Sequence, residues 1–146
     1  MNEAEFWKVL DMLDWDCEGN DDMVLKPLVS YLSKQSDNVI FEFENIMAKL
    51  LYDIDSKKIA EEIYGTSDYF SGDEFLYIRC CAIINGQRYY EDVRSNKRCL
   101  SRDLDFEAIL YVPSKAWAEK HGKDVDQYPH FAEPSYETCS NEELWK

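Results

Sequence analysis

Glycine and proline are scarce, five and four residues in 146. Long irregular loops, low-complexity linkers and a glycine-rich phosphate cradle therefore have little to be built from. Histidine is scarcer still: His121 and His130 are the only two. The five cysteines (Cys17, Cys80, Cys81, Cys99, Cys139) form no CxxC pair. A zinc site needs four closely placed ligands, so neither a metal nor a cofactor is expected. An odd number of unpatterned thiols suits reduced cysteines and a cytoplasmic setting. The most apolar run, Phe75 to Ile84, is too short to span a membrane and contains Arg79. The opening residues Asn2, Glu3 and Glu5 do not form the basic start of a signal peptide.

Positive charge is also in short supply. Thirty acids face 16 bases, a formal net charge of −14. Such a chain repels the phosphate backbone, so nucleic acid is excluded as the expected partner. One basic stretch, Arg88, Arg94, Lys97, Arg98 and Arg102, runs beside Tyr89 and Tyr90, but Glu91 and Asp92 lie within it. It reads as a connection that balances acidic helices. A Cys or Ser nucleophile needs an oriented base nearby. With both histidines late in the chain, no catalytic residue is assigned and no enzyme is expected.

What is present is helical. The length suits one domain with a real core, and no internal repeat is visible. Asn2 with Glu5 opens a first helix through Phe6, Val9, Leu10 and Leu13. The acidic stretch 14–22 reads as a connection, followed by a helix from about Met23 to Gln35 with Pro27 in its first turn. Ser36 or Asp37 caps the clearest helix, whose stripe is Val39, Ile40, Phe43, Ile46, Met47, Leu50, Leu51 and Ile54. Ser56 caps a short helix that Gly65 ends. Ser71 and Glu74 open Phe75–Ile84, apolar on nearly all sides and therefore central. Helix is also expected over Phe106–Val112, with Pro113 breaking it and Ser114 restarting it as far as His121.

The fold class expected is all-α, a single compact bundle of about six or seven helices over residues 1–122. An irregular aromatic C-terminal tail, 123–146, carries Tyr128, Phe131, Tyr136 and Trp145. Such aromatics pin a tail onto its domain; the alternative is a recognition segment.

Several features in order resemble an uncharacterised bacterial family of domains of unknown function. They are Phe6-Trp7, the stripe helix leading into Ile59-Ala60, and Ser71-x-Asp73-x-Phe75-x-x-x-Arg79. Asn85-Gly86, Phe106-Glu107-Ala108-Ile109-Leu110-Tyr111-Val112, Trp117 and Gly122 follow. The likeness covers about residues 3–125. The chain departs from the pattern at Gly72, where an acid is expected, and at Cys80-Cys81, where a Trp is expected. The resemblance implies a bacterial, helical, cytosolic domain and transfers no reaction.

Two sets of residues are candidates for function. The first is acidic: Asp11, Asp14, Asp16, Glu18, Asp21 and Asp22, with Trp15 as an aromatic anchor. A second scatter includes Glu42, Glu44, Asp53, Asp55, Glu61, Glu62 and Asp68, and Trp7 is a further anchor. Asp11 to Asp22, or Glu42, Glu44, Glu61 and Glu62, would meet a basic protein partner. The expected function is that of a cytoplasmic immunity protein that blocks the cationic cleft of a nuclease-type toxin. An adaptor for some other basic protein is the blander form of this expectation. The second candidate is Arg79, whose guanidinium cannot stay unpaired in an apolar helix. Asp73, Glu74 or an acid from another helix is its expected partner. That pair is either structural or the floor of a small ligand or enzyme pocket.

Overall fold

Capping residues decide where the helices begin. In the computed structural model, which describes residues 1–66 and 69–146, the Asn2 side chain accepts the Glu5 N–H at 2.8 Å and opens α1, Glu3–Val9. Asn20 does the same for Met23 at the start of α2, Asp21–Ser33. Ser36 opens α3, Asp37–Tyr52; Ser56 opens α4, Lys57–Tyr64; and Ser71 opens α5, Gly72–Ile84. Each satisfies an N–H that the first helical turn leaves unpaired. α6, Gln87–Arg94, follows Gly86 at φ 94°, and α7, Val112–His121, ends on Gly122 in the left-handed region at φ 60°. The described residues contain seven α-helices and no strand, so the fold is all-α. Asp68 lies outside the described residues.

Four local expectations differ from what forms. Because α2 starts at Asp21, Pro27 is its seventh residue and lies inside the helix rather than in its first turn. The 14–22 connection carries a turn of 3-10 helix at Trp15–Cys17. Residues Glu107–Tyr111 are 3-10 rather than α. Pro113 lies in the first turn of α7 rather than breaking a helix. Its missing N–H falls among those that a first turn cannot pair, and its fixed φ already suits the helix.

The chain packs as two compact units. One unit comprises Met1–Ile46 and Ala108–Ala132. Here α2 lies against α7, and the Phe6 and Phe43 rings meet at 4.8 Å. Val24, Leu28, Leu32, Ile109 and Val112 are fully buried. Each such side chain contributes about 1.5–3 kcal/mol of hydrophobic burial. At the edge of this unit Asp37, in the first turn of α3, accepts from Lys120 at 2.8 Å and meets His121 Nε2 at 2.9 Å. The hydrogen bonds from Lys120 and His121 hold the Asp37 carboxyl below the usual carboxylate range.

The other unit comprises Met47–Glu107 and Glu133–Lys146. α5 is buried on nearly every side, from Phe75 to Ile84, as its apolar circumference implies. The irregular 133–146 segment lies on this unit: Trp145 packs its ring 6.2 Å from both Phe70 and Phe75. The 125–131 segment belongs to the first unit, where Tyr128 and His130 pack on Phe41. Of the aromatics expected to hold the tail, Tyr128 and Trp145 pack on other rings, whereas Phe131 is 86% exposed and holds nothing among the described residues.

Candidate functional site

The acidic segment 11–22 sits in the first unit, on the approach to α2. Asp14 N–H donates to the Val24 carbonyl at 3.0 Å, which ties the segment to the helix. The Asp14 side chain turns back to cap Asp16 N–H at 3.1 Å, and its second oxygen receives the Cys17 thiol at 3.5 Å. Asp14 and Asp21 are half-buried, whereas Asp11, Asp16, Glu18 and Asp22 are exposed. Asp22 is paired with Lys115 at 3.2 Å. Asp11, Asp16 and Glu18 form no ion pair among the described residues. Met12, Trp15 and Met23, in the same part of the chain, are 36%, 42% and 42% exposed. Unneutralised acids and open apolar side chains therefore occur together here.

The other acidic candidates do not form a comparable surface. Glu44 is buried, accepts the Tyr128 hydroxyl at 3.0 Å and has His130 Nε2 at 3.9 Å. Burial pushes its carboxyl above the usual range, and the Tyr128 bond opposes the shift. Glu44 is thus a tether for the 125–131 segment, not a contact residue. The periodicity that revealed the α3 stripe carries the signal: Glu44 stands four residues after Ile40 and three before Met47, both fully buried. Glu42 is exposed but bound to the Met1 amine at 2.8 Å. Glu61 and Glu62 lie on α4 of the other unit, where Glu62 receives the Cys99 thiol at 3.6 Å. Trp7 is buried and is no surface anchor.

The basic stretch is partly neutralised as well. Arg94 pairs with Glu91 at 3.3 Å, and Arg102 pairs with Glu74 at 3.8 Å while lying over the Tyr64 ring. Arg98 stacks on Tyr89, and Tyr90 is buried with its hydroxyl on the Leu50 carbonyl at 2.6 Å.

Arg79 is fully buried, and its carboxylate partner is Asp55, also fully buried, with Nη2 4.0 Å from Oδ1. Asp73 is exposed in the first turn of α5 and does not take this role. Glu74 turns instead to the Tyr64 hydroxyl and to Arg102. Asp55 follows the end of α3, where the last carbonyls need donors. Arg79 Nη1 donates to Leu51 O at 2.8 Å, Tyr90 to Leu50 O, and Asn141 Nδ2 to Tyr52 O at 2.9 Å. A cation at this helix end is also favoured by the helix dipole.

The 133–146 segment completes the pair. Arg79 Nη2 donates to Tyr136 O at 2.9 Å and to Thr138 Oγ1 at 3.2 Å. Asp55 accepts Cys139 N–H at 3.1 Å, Asn141 N–H at 3.0 Å and Trp145 Nε1–H at 2.8 Å. The guanidinium lies over the Phe75 ring at 4.8 Å, and Nε has no hydrogen-bond partner among the described residues. Burial lowers the Arg79 pKa, while Asp55 works against the shift.

No disulfide forms among the described residues, and burial raises the Cys80 thiol far above its ordinary value. Among the described residues no group of three or more His, Cys, Asp or Glu side chains is placed to hold a metal ion. No described helix is long and apolar enough to cross a membrane. No curated protein and no solved structure matches the chain. A family match extends over residues 1–119, taking in the acidic segment, Asp55 and Arg79, and by that match the chain belongs to the family described as protein of unknown function, DUF4240.

Proposed function

We propose that the protein is a stoichiometric inhibitor of a basic protein, in the form of a bacterial immunity protein that neutralises a nuclease-type toxin. The observation that carries this reading is the segment around Trp15, where Asp11, Asp16 and Glu18 are exposed, form no ion pair among the described residues, and share a short stretch of chain with the exposed apolar side chains of Met12, Trp15 and Met23. Unpaired acids on a chain of net charge −14 speed encounter with a cationic cleft. A half-exposed Trp supplies the aromatic anchor on which tight interfaces depend. The acids closing on a phosphate-binding cleft would exclude nucleic acid from it. Glu42 and Glu44 are already engaged by the Met1 amine and Tyr128, which favours the 11–22 segment over the second set.

The test uses the full chain as bait in lysate of the native host, at low and at high salt. The expected capture is one basic protein in one-to-one ratio, released by salt and toxic when expressed without this chain. Changing Asp11, Asp16 and Glu18 to Lys moves the formal net charge from −14 to −8. It should slow association with the captured protein at least about tenfold at low salt. Capture that ignores this reversal, or recovery of no basic protein, removes the reading.

A further inference from the structure

We infer that Arg79 and Asp55 form a recognition site for a peptide segment, occupied in this structure by the chain's own 136–145 segment acting as a displaceable strap. The chemistry of the occupant is defined on both sides. The guanidinium takes a main-chain carbonyl and a hydroxyl, Tyr136 O and Thr138 Oγ1. The carboxylate takes two main-chain N–H groups and an indole N–H, from Cys139, Asn141 and Trp145. The indole ring then lies against Phe70 and Phe75. Donors and acceptors fixed on a folded body and matched to the main chain of an irregular segment, with a pocket for one aromatic side chain, are the ingredients of peptide recognition.

Four observations make the segment a strap rather than part of the core. From Glu133 to Ser140 its residues alternate between exposed and half-buried, with a turn at Thr138–Cys139, and Glu142–Trp145 adds a single stretch of 3-10 helix, so the segment lies on the surface of its unit without long regular structure. Of residues 133–146 only Asn141 is buried, and segments with so little burial open at the low end of the stability range. Cys139 is held at φ 72°, a left-handed conformation that a side chain disfavours. The strap also leaves Arg79 Nε buried without an acceptor among the described residues, so a ligand offering one more oxygen there would satisfy the guanidinium more fully than the strap does. An open groove of about 560 Å³, lined by Lys49, Asp53, Glu91, Arg94, Asn141 and Leu144, runs beside the strap. It gives an incoming segment a place to start. Asp55 and Arg79 fall within residues 1–119 of the family match, and the strap falls beyond it. The occupant is a protein segment with a Thr or Ser hydroxyl and a following Trp.

The probe is a fluorescein-labelled synthetic peptide of residues 133–146, and the protein is the full chain. In wild type the strap competes from an effective concentration of about millimolar, so peptide binding should be at least about 100-fold weaker than in a loosened chain. The loosened chain carries Asn141→Ala and Trp145→Ala, which leave Arg79 and Asp55 intact. It should bind the peptide, and adding Asp55→Asn should abolish binding while far-UV circular dichroism stays helical. Hydrogen exchange of wild type is the second measurement. The Cys139 and Asn141 amides should exchange at least about 100-fold faster than the interior amides of α5. A folded loosened chain that binds no peptide, or that binds it equally well after Asp55→Asn, overturns the inference. So does exchange of Cys139 and Asn141 at the α5 rate, and that result decides the matter if the loosened chain does not fold.

Discussion

Replacing Arg79 with Met removes a buried cation while keeping most of its volume, and the structure sets the size of the effect. At 4.0 Å the attraction to Asp55 is about 4 kcal/mol in the effective dielectric that describes most protein ion pairs. Two terms work against the full loss. Asp55 keeps its three N–H donors, which stabilise a carboxylate on their own. The desolvation cost of the guanidinium also disappears. The abandoned acceptors lose less, because Leu51 O still receives the Ile54 N–H and Thr138 still donates to Gly72 O at 2.6 Å. The net expectation is a loss of about 3 kcal/mol, the low end for breaking a buried pair. Urea unfolding followed by circular dichroism measures it, and the Trp145 indole N–H resonance should move, since that proton rests on Asp55. Asp55→Asn and the double variant complete a cycle, whose coupling should reach at least about 1 kcal/mol. A single-variant loss under about 1 kcal/mol with additive effects would refute the reasoning and reduce Arg79 to a space-filling side chain. Binding of the basic partner through residues 11–22 should survive Arg79→Met as long as the chain is folded.

Glu44→Gln tests the buried carboxyl. Burial raises its folded pKa above the unfolded value, so the Glu44 contribution to stability is fully present below the unfolded value and is lost as pH rises through the folded one. The Gln variant, which can still accept from Tyr128, should match or exceed wild-type stability at about pH 7, with the difference fading below about pH 4. A lower urea midpoint at neutral pH would show that the ionised form is used, with His130 at 3.9 Å as its partner. Cys139→Gly should relieve the left-handed residue at φ 72° and stabilise the strap by about 0.5–1 kcal/mol. Slower exchange of the Asn141 amide would report the gain, and faster exchange would contradict it.

Features with a short sequence reach were readable in advance. Asn2, Ser56 and Ser71 act on N–H groups three residues away, and the all-round apolarity of Phe75–Ile84 requires burial whatever the neighbours are. The need for a partner at Arg79 was equally legible, because a lone buried guanidinium is too costly. Its identity was not. A search along the chain offers Asp73 and Glu74, within one or two turns of α5, but Asp55 is brought in by the way α3 ends. The donors that complete Asp55 come from more than 80 residues further on. The aromatics Tyr128, Phe131, Tyr136 and Trp145 suggested that residues 123–146 are pinned, yet composition has no way to show that Phe131 stays exposed or that main-chain groups of 136–141 meet Arg79 and Asp55.

The acid excess has a similar resolution. Read as composition, 30 acids form one undivided property of the chain. Packing divides them by task. Asp55 and Glu44 are buried tethers for irregular segments, Asp37 joins the end of α7 to the start of α3, and Glu42, Asp53, Glu74 and Glu91 sit beside cations. Charges engaged in this way add little field at the surface, because a paired acid is seen from a distance as a dipole. Asp11, Asp16 and Glu18 lack such neighbours among the described residues, and they stand where Met12, Trp15 and Met23 are open. If the function resides in the field of the whole chain, reversing any three surface acids should slow partner association equally. If it resides in this segment, reversing Glu61, Glu62 and Asp73 should change the rate far less than reversing Asp11, Asp16 and Glu18 at the same net charge. The comparison separates steering by total charge from recognition by a built surface, and equal slowing in the two variants would return the 11–22 segment to the status of a solvated turn.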